Sequence, residues 1–168
     1  MSERASTTRR VAASLYEALL LAAVALVVEF ALLPVLSALY ALPPDRRALP
    51  PLVPVAQAIS LGCLFAVIGL YCVWGWSGGR RTLPMKTWRI AMEAAGGKEV
   101  GMGTAALRYA AWWIGPALAL AAYAALRPLG VGRWAMALVA VNYAWALLDP
   151  DRQLLHDRVA GTRLVAAS

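Results

Sequence analysis

Hydrophobic residues gather in four long blocks separated by short polar or proline-rich stretches. The first block runs from Arg9 to Tyr40, and its principal breaks are two carboxylates, Glu17 and Glu29, and Pro34. A bilayer core takes about 20 helical residues, and the block from Val11 is longer than that. The pattern predicts a spanning helix over 11–40 and further spanning helices over 55–76, 105–126 and 131–148. The segment between the first two carries five prolines and reads as a loop. RPLGVGR reads as a tight turn between the last two.

Residues 77–104 form the one long loop. Within it Lys86 to Met92 alternates, which favours a short strand, with a short interfacial helix as the alternative. Gly96-Gly97 reads as a turn and Thr104 as the N-cap of the third helix. Thr162–Ala166 offers a second strand that could pair with the first. The predicted fold is an all-α membrane protein of four transmembrane helices, with N and C termini cytoplasmic. A small cytoplasmic cap comes from the 77–104 loop and the 149–168 tail. Residues 1–10 form a basic cytoplasmic tail, and 11–168 a single membrane domain.

Composition agrees with that pattern. Of the 168 residues 61% are hydrophobic and the mean hydropathy is +0.63, above the roughly 45–50% apolar share of soluble domains. The first apolar run is too long for a cleaved signal peptide. The net charge of +7 raises the question of nucleic acid, but the placement of the charge answers it. Twelve of the 16 Lys and Arg lie in the N-terminal tail, between Arg80 and Arg108, or after Leu148; the other four are Arg46, Arg47, Arg127 and Arg133. That asymmetry is the positive-inside signature, and no soluble basic domain with stacking aromatics accompanies it. The basic loop with Trp88 is suited to anionic lipid head groups. Cys63 and Cys72 are nine residues apart in one helix, on opposite faces. With a single histidine, the chain offers neither a disulfide framework nor a metal site, and no cofactor is implied.

Charge at membrane depth is the chemical lead. Glu17 and Glu29 fall inside the first helix, where an ionised side chain is costly and a functional role is the default hypothesis. Arg10 precedes Glu17 by seven residues, on the same helical face, with Ser14 between them. Glu17 with Arg10 is either a proton- or cation-coupled site or a structural ion pair close enough to the surface to snorkel. Glu29 lies about 18 Å further along the helix, on another face. It is a relay station supported by Asn142 or Gln57, or the partner of an outer arginine. Ala117, Ala121 and Ala125 form a small-residue stripe that permits close helix contact, unless they reflect only the abundance of alanine. His156-Asp157 lacks a Ser or Cys nucleophile to activate, so no catalytic residues are assigned and an enzyme is not expected. Asp157 is expected to pair with Arg10, Arg108 or another loop arginine.

Three motifs, in order, carry a family resemblance. Arg10-Val-Ala-Ala13-Ser-Leu-Tyr-Glu17 resembles the opening signature of the RDD family of bacterial membrane proteins, named for one arginine and two aspartates. Arg81-Thr-Leu-Pro-Met-Lys86-Thr-Trp-Arg89-Ile is similar to its loop motif, and Arg108 falls where members carry an arginine entering the next helix. Asp149 to Val165, with His156-Asp157 and Ala160-Gly161-Thr162, resembles its closing motif. The resemblance implies a charged triad of Arg10, Glu17 and Asp157, with Glu17 in place of the first aspartate and Pro84 where a glycine is usual. Glu29 and Asn142 would be secondary polar stations, and Arg108, His156, Lys86 and Arg89 would tie the cap together. It also implies a multi-pass protein of the bacterial inner membrane. Two functions follow: a cation/proton-coupled transporter, or a non-enzymatic adaptor, assembly or lipid-binding subunit whose charges are structural. Four helices offer few polar lining residues, so a homo-oligomer or a membrane partner is expected.

Overall fold

A computed structural model describes residues 5–39 and 53–167. Helix α1 (Thr7–Leu39) and helix α2 (Val53–Trp76) are long and almost wholly apolar. After them come a short helix α3 (Leu83–Thr87), strand β1 (Ile90–Ala94), and helices α4 (Met102–Trp112) and α5 (Ile114–Leu126). A 3-10 run (Gly132–Ala140), helix α6 (Val141–Ala144) and a 3-10 turn (Trp145–Leu147) then lead to helix α7 (Leu155–Ala160) and strand β2 (Thr162–Ala166). Three stretches are long and apolar enough to cross a membrane: Thr8–Ser37, Val55–Trp76 and Met102–Leu129.

The third span is not the continuous 105–126 helix expected from its apolar run. It begins at Met102, with Gly101 rather than Thr104 at the N-cap, and it breaks at Trp113. The cause is Pro116, which has no N–H to donate to the Trp112 carbonyl one turn back. Trp113 N instead bonds the Ala110 carbonyl (3.1 Å), and Ala117 N bonds the Trp113 carbonyl (2.9 Å). The stranded Trp112 carbonyl accepts from Asn142 Nδ2 at 2.7 Å. Asn142 is thus first of all a splint for a broken helix.

The expected 131–148 helix is also replaced, by the mixed 3-10 and α path, and it is not among the three spans. It lies hard against α5. A Cβ on Gly115 would sit 2.6 Å from the Val139 carbonyl oxygen, so the two backbones meet there with no room for a side chain. The small residues at this contact are Gly115, Ala119, Gly132 and Ala135, all buried. Ala117, Ala121 and Ala125 face outward, so the expected stripe lies on the wrong side of α5.

The loop and tail fold together. β1 and β2 pair antiparallel, Ile90 with Ala166 through Ala94 with Thr162, and Arg163 Nη2 reaches across the pair to Glu93 Oε2 (3.1 Å). The strand pairing was legible, but its first partner begins at Ile90 rather than Lys86. Residues 83–87 are helical, and Pro84 sits in the first turn of α3, where its missing N–H costs nothing. Gly96 and Gly97 turn at φ 78° and 75°. Ala5 N bonds the Leu164 carbonyl (3.2 Å), tying the N-terminus to β2. This unit packs through α3 on α1 and through α7 on α4, so it closes one end of the helices over Met85, Ile90, Val100 and Val165, all nearly inaccessible.

Candidate functional site

Where the cap meets α1, α2 and α4, charged groups are buried together. Arg108, on the inward face of α4, is 5% exposed, and its Nε donates to Asp157 Oδ1 at 2.7 Å. Its guanidinium lies over the Trp76 ring, 4.2 Å from the centroid, so the cation has a carboxylate on one side and an aromatic face on the other. Asp157 is held by local chain geometry. The Asp149 Oδ2 atom accepts from Asp151 N (3.1 Å) and Gln153 N (2.9 Å), shaping the turn that delivers α7. Gly161, left-handed at φ 64°, stops α7 after six residues. That stop lets Thr162 Oγ1 donate back to Asp157 Oδ1 at 3.3 Å.

These contacts fix the protonation states. Burial alone would raise the Asp157 carboxyl, but the Arg108 charge and hydrogen bond, with His156 and Thr162, hold it below the usual carboxylate range. Burial and the nearby Arg108 push His156 down to about 4, against a smaller opposing effect of Asp157. His156 is therefore neutral, its Nε2 3.9 Å from Asp157 Oδ1 and its Nδ1 buried with no hydrogen-bond partner among the described residues.

Glu17 enters from α1. It lines a cavity of about 30 Å³ with Ser14, Trp76, Arg108, Tyr143 and His156, enough for one or two waters, each of which needs about 10–15 Å³. Its Oε1 is buried and makes no hydrogen bond among the described residues. Trp76 Nε1 and Thr82 Oγ1 lie beside it as its nearest donors and favour its charged form, though neither reaches full hydrogen-bond geometry. Gly75 makes room for Thr82, whose methyl would lie 2.7 Å from a Cβ there.

The sequence-predicted residues are therefore sorted differently. Glu17 and Asp157 share one cluster, and the cation between them is Arg108, not Arg10. Arg10 Nη1 donates to the Arg152 carbonyl at 3.0 Å, because helical side chains slope toward the N-terminus and carry Arg10 outward to the tail. Glu29 meets neither Asn142 nor Gln57; its Oε2 accepts from Ser60 Oγ at 3.2 Å across α1 and α2. Of the four outer arginines, Arg127 and Arg133 form no ion pair with Glu29 among the described residues, and Arg46 and Arg47 lie outside them. Lys86 and Arg89 are exposed and join the cap through their backbones: Arg89 N donates to the Lys86 carbonyl (3.2 Å), and the Arg89 carbonyl accepts from Ala167 N (2.9 Å). Trp76, at the end of α2, is 4% exposed and covers Arg108. Thr82 and Tyr143 gave no sequence signal, since lone polar residues beside apolar runs are common.

Long apolar helices closed at one end by a cap with a buried arginine–carboxylate pair define an integral membrane protein. A sequence model of the RDD family matches residues 4–161, and the chain belongs to that family. Neither a curated protein nor a solved structure matches it.

Proposed function

We propose that this chain is a small transporter of the bacterial inner membrane that couples cation and proton movement at Glu17. The observation that carries the reading is the state of that carboxylate. It lies in a membrane-spanning helix, its Oε1 makes no fully formed hydrogen bond among the described residues, with Trp76 and Thr82 its nearest donors, and it faces a water-sized cavity. The cluster holds two carboxylates and one guanidinium, and Arg108 is already committed to Asp157. With His156 neutral, an ionised Glu17 leaves one negative charge that a proton or a bound cation neutralises. The fixed Arg108–Asp157 pair then acts as the gate post at the cytoplasmic mouth, and Glu29 with Ser60 is a second polar station further along α1.

Orientation follows from the charge asymmetry, with the cap and both termini in the cytoplasm. The 132–147 path serves as the fourth span. At about 2.0 Å per 3-10 residue and 1.5 Å per α residue it reaches roughly 30 Å, the thickness of a bilayer core. A second reading draws on the small size of the cavity and on the separation of Glu29 from it. In that reading the chain is a non-enzymatic assembly subunit and the cluster is a latch between membrane and cap.

Proteoliposomes containing a pH-sensitive dye, given Na⁺, K⁺ or Li⁺ gradients, separate the two. Cation-dependent proton flux that Glu17→Gln abolishes in a folded protein supports the transporter. Flux no greater than that of empty liposomes leaves only the latch.

A further inference from the structure

Two side chains from different parts of the chain reach the 30 Å³ cavity: Glu17 from α1, and His156 from α7 in the cap. The His156 side chain is 6% exposed, and its Nδ1 is buried with no hydrogen-bond partner among the described residues. Asp157 sets the state of the ring. Its carboxylate lies 3.9 Å from Nε2, which favours the hydrogen on Nε2 and leaves a lone pair on Nδ1. When Glu17 is ionised, two hydrogen-bond acceptors therefore meet in one small space. They cannot bond to each other, and a water, with two hydrogens to give, satisfies both.

The other groups around Glu17 cannot hold a proton that leaves it. Arg108 and Trp76 only donate, and the hydroxyls of Ser14 and Tyr143 pass a proton on without keeping it. Asp157 does not line the cavity, and its Oδ1 already accepts from Arg108 Nε and Thr162 Oγ1. Tyr71 and Cys72, on α2, feel the Glu17 charge but do not line the cavity either. Among the described residues, His156 is the base the cavity offers to Glu17.

Given the reading of Glu17 as the ion-coupled carboxylate, on which this rests, we infer that a water bridging Glu17 Oε1 and His156 Nδ1 passes protons between them. His156 is then the relay through which Glu17 exchanges protons with the cap side. As Glu17 ionises, its O–H bond breaks, the water takes that proton and gives one of its own to Nδ1, and an N–H bond forms there. The imidazolium loses its Nε2 proton to a water reaching the ring from the cap. Reprotonation of Glu17 runs the same steps backward and restores the starting tautomer. Burial and the Arg108 charge hold His156 at about 4, so the imidazolium hands its proton on rather than storing it.

His156 is the single histidine of the chain, so histidine labelled with nitrogen-15 reports on this ring alone. In nuclear magnetic resonance of the labelled full chain in lipid, the hydrogen is expected on Nε2. The Nδ1 signal should move in Glu17→Gln and stay in Glu29→Gln. Hydrogen on Nδ1, or an Nδ1 signal indifferent to Glu17→Gln, overturns the proposal. The rate of transfer is read by infrared after an acid jump, as the growth of the carboxyl band that Glu17→Gln removes. His156→Gln, which keeps a polar side chain but takes no proton, should slow that growth about a hundredfold, the worth of a positioned proton-transfer group. His156→Phe should do the same. An unchanged rate in either variant, with a wild-type elution profile, overturns the relay. Neither arm needs transport. Expected spectra in a protein without flux sink the transporter and leave the relay, whereas full proton flux in His156→Gln does the reverse.

Discussion

The buried pair of Arg108 and Asp157 gives the strongest prediction about stability. Both side chains are almost wholly inaccessible, and their contact is a single short bond of 2.7 Å supported by Trp76 and Thr162. Removing one partner leaves the other charged and desolvated. Such breaks cost about 3–5 kcal/mol, whereas replacing both partners with apolar groups of similar volume is often close to neutral. Arg108→Met and Asp157→Leu should therefore each destabilise by about 3–5 kcal/mol. The double variant Arg108→Met/Asp157→Leu should lose no more than either single, a coupling of at least about 3 kcal/mol. Reversible unfolding in mixed micelles, followed by circular dichroism, supplies the cycle. A single-variant loss below about 1 kcal/mol, or additivity within about 0.5 kcal/mol, would refute the claim that the pair joins cap to membrane helices.

Acid should weaken the fold in a defined window. His156 titrates near 4 in the folded protein and near 6.5 when unfolded, so the unfolded chain binds more protons between those values. Stability then falls as pH drops from about 6.5 to about 4, by at most about 3 kcal/mol, and His156→Phe should flatten that limb of a pH-resolved unfolding series. Asp157 adds a further loss only below its ordinary carboxylate range, since its carboxyl is held down. Asn142→Leu should cost about 1–3 kcal/mol by stranding the Trp112 carbonyl. Pro116→Ala, which restores an amide opposite that carbonyl, should recover part of the loss in the same unfolding assay. Gly115→Ala forces a Cβ to 2.6 Å from the Val139 oxygen and should destabilise by about 1–3 kcal/mol. Gly103→Ala, in a helix with nothing within 4 Å, should instead stabilise by up to about 1 kcal/mol.

Long apolar runs and the closing motif made the membrane class, the two-stranded pairing and the weight of Asp157 readable from sequence. What escaped was set by one residue or by direction in space. Pro116 was visible in the chain, yet the apolar run around it outweighed it; had its missing N–H been followed four residues back, Asn142 would have read as a splint. Arg10 and Glu17 do share a helical face, but side-chain slope sends Arg10 outward, and Arg108 arrives from a helix about ninety residues later in the chain. The 132–140 segment carries no sequence feature that separates 3-10 from α geometry; its path follows from the close approach at Gly115, which only the folded packing reveals.

The central claim is that Glu17 is the ion-responsive carboxylate, and infrared difference spectroscopy of the reconstituted protein tests it most directly. Exchanging Na⁺ or K⁺ for a large inert cation at constant pH should change one carboxyl band. Glu17→Gln should remove that change, and Glu29→Gln should leave it in place. A spectrum blind to the exchange, or a change that survives in Glu17→Gln, would contradict the account and make the cluster a structural latch.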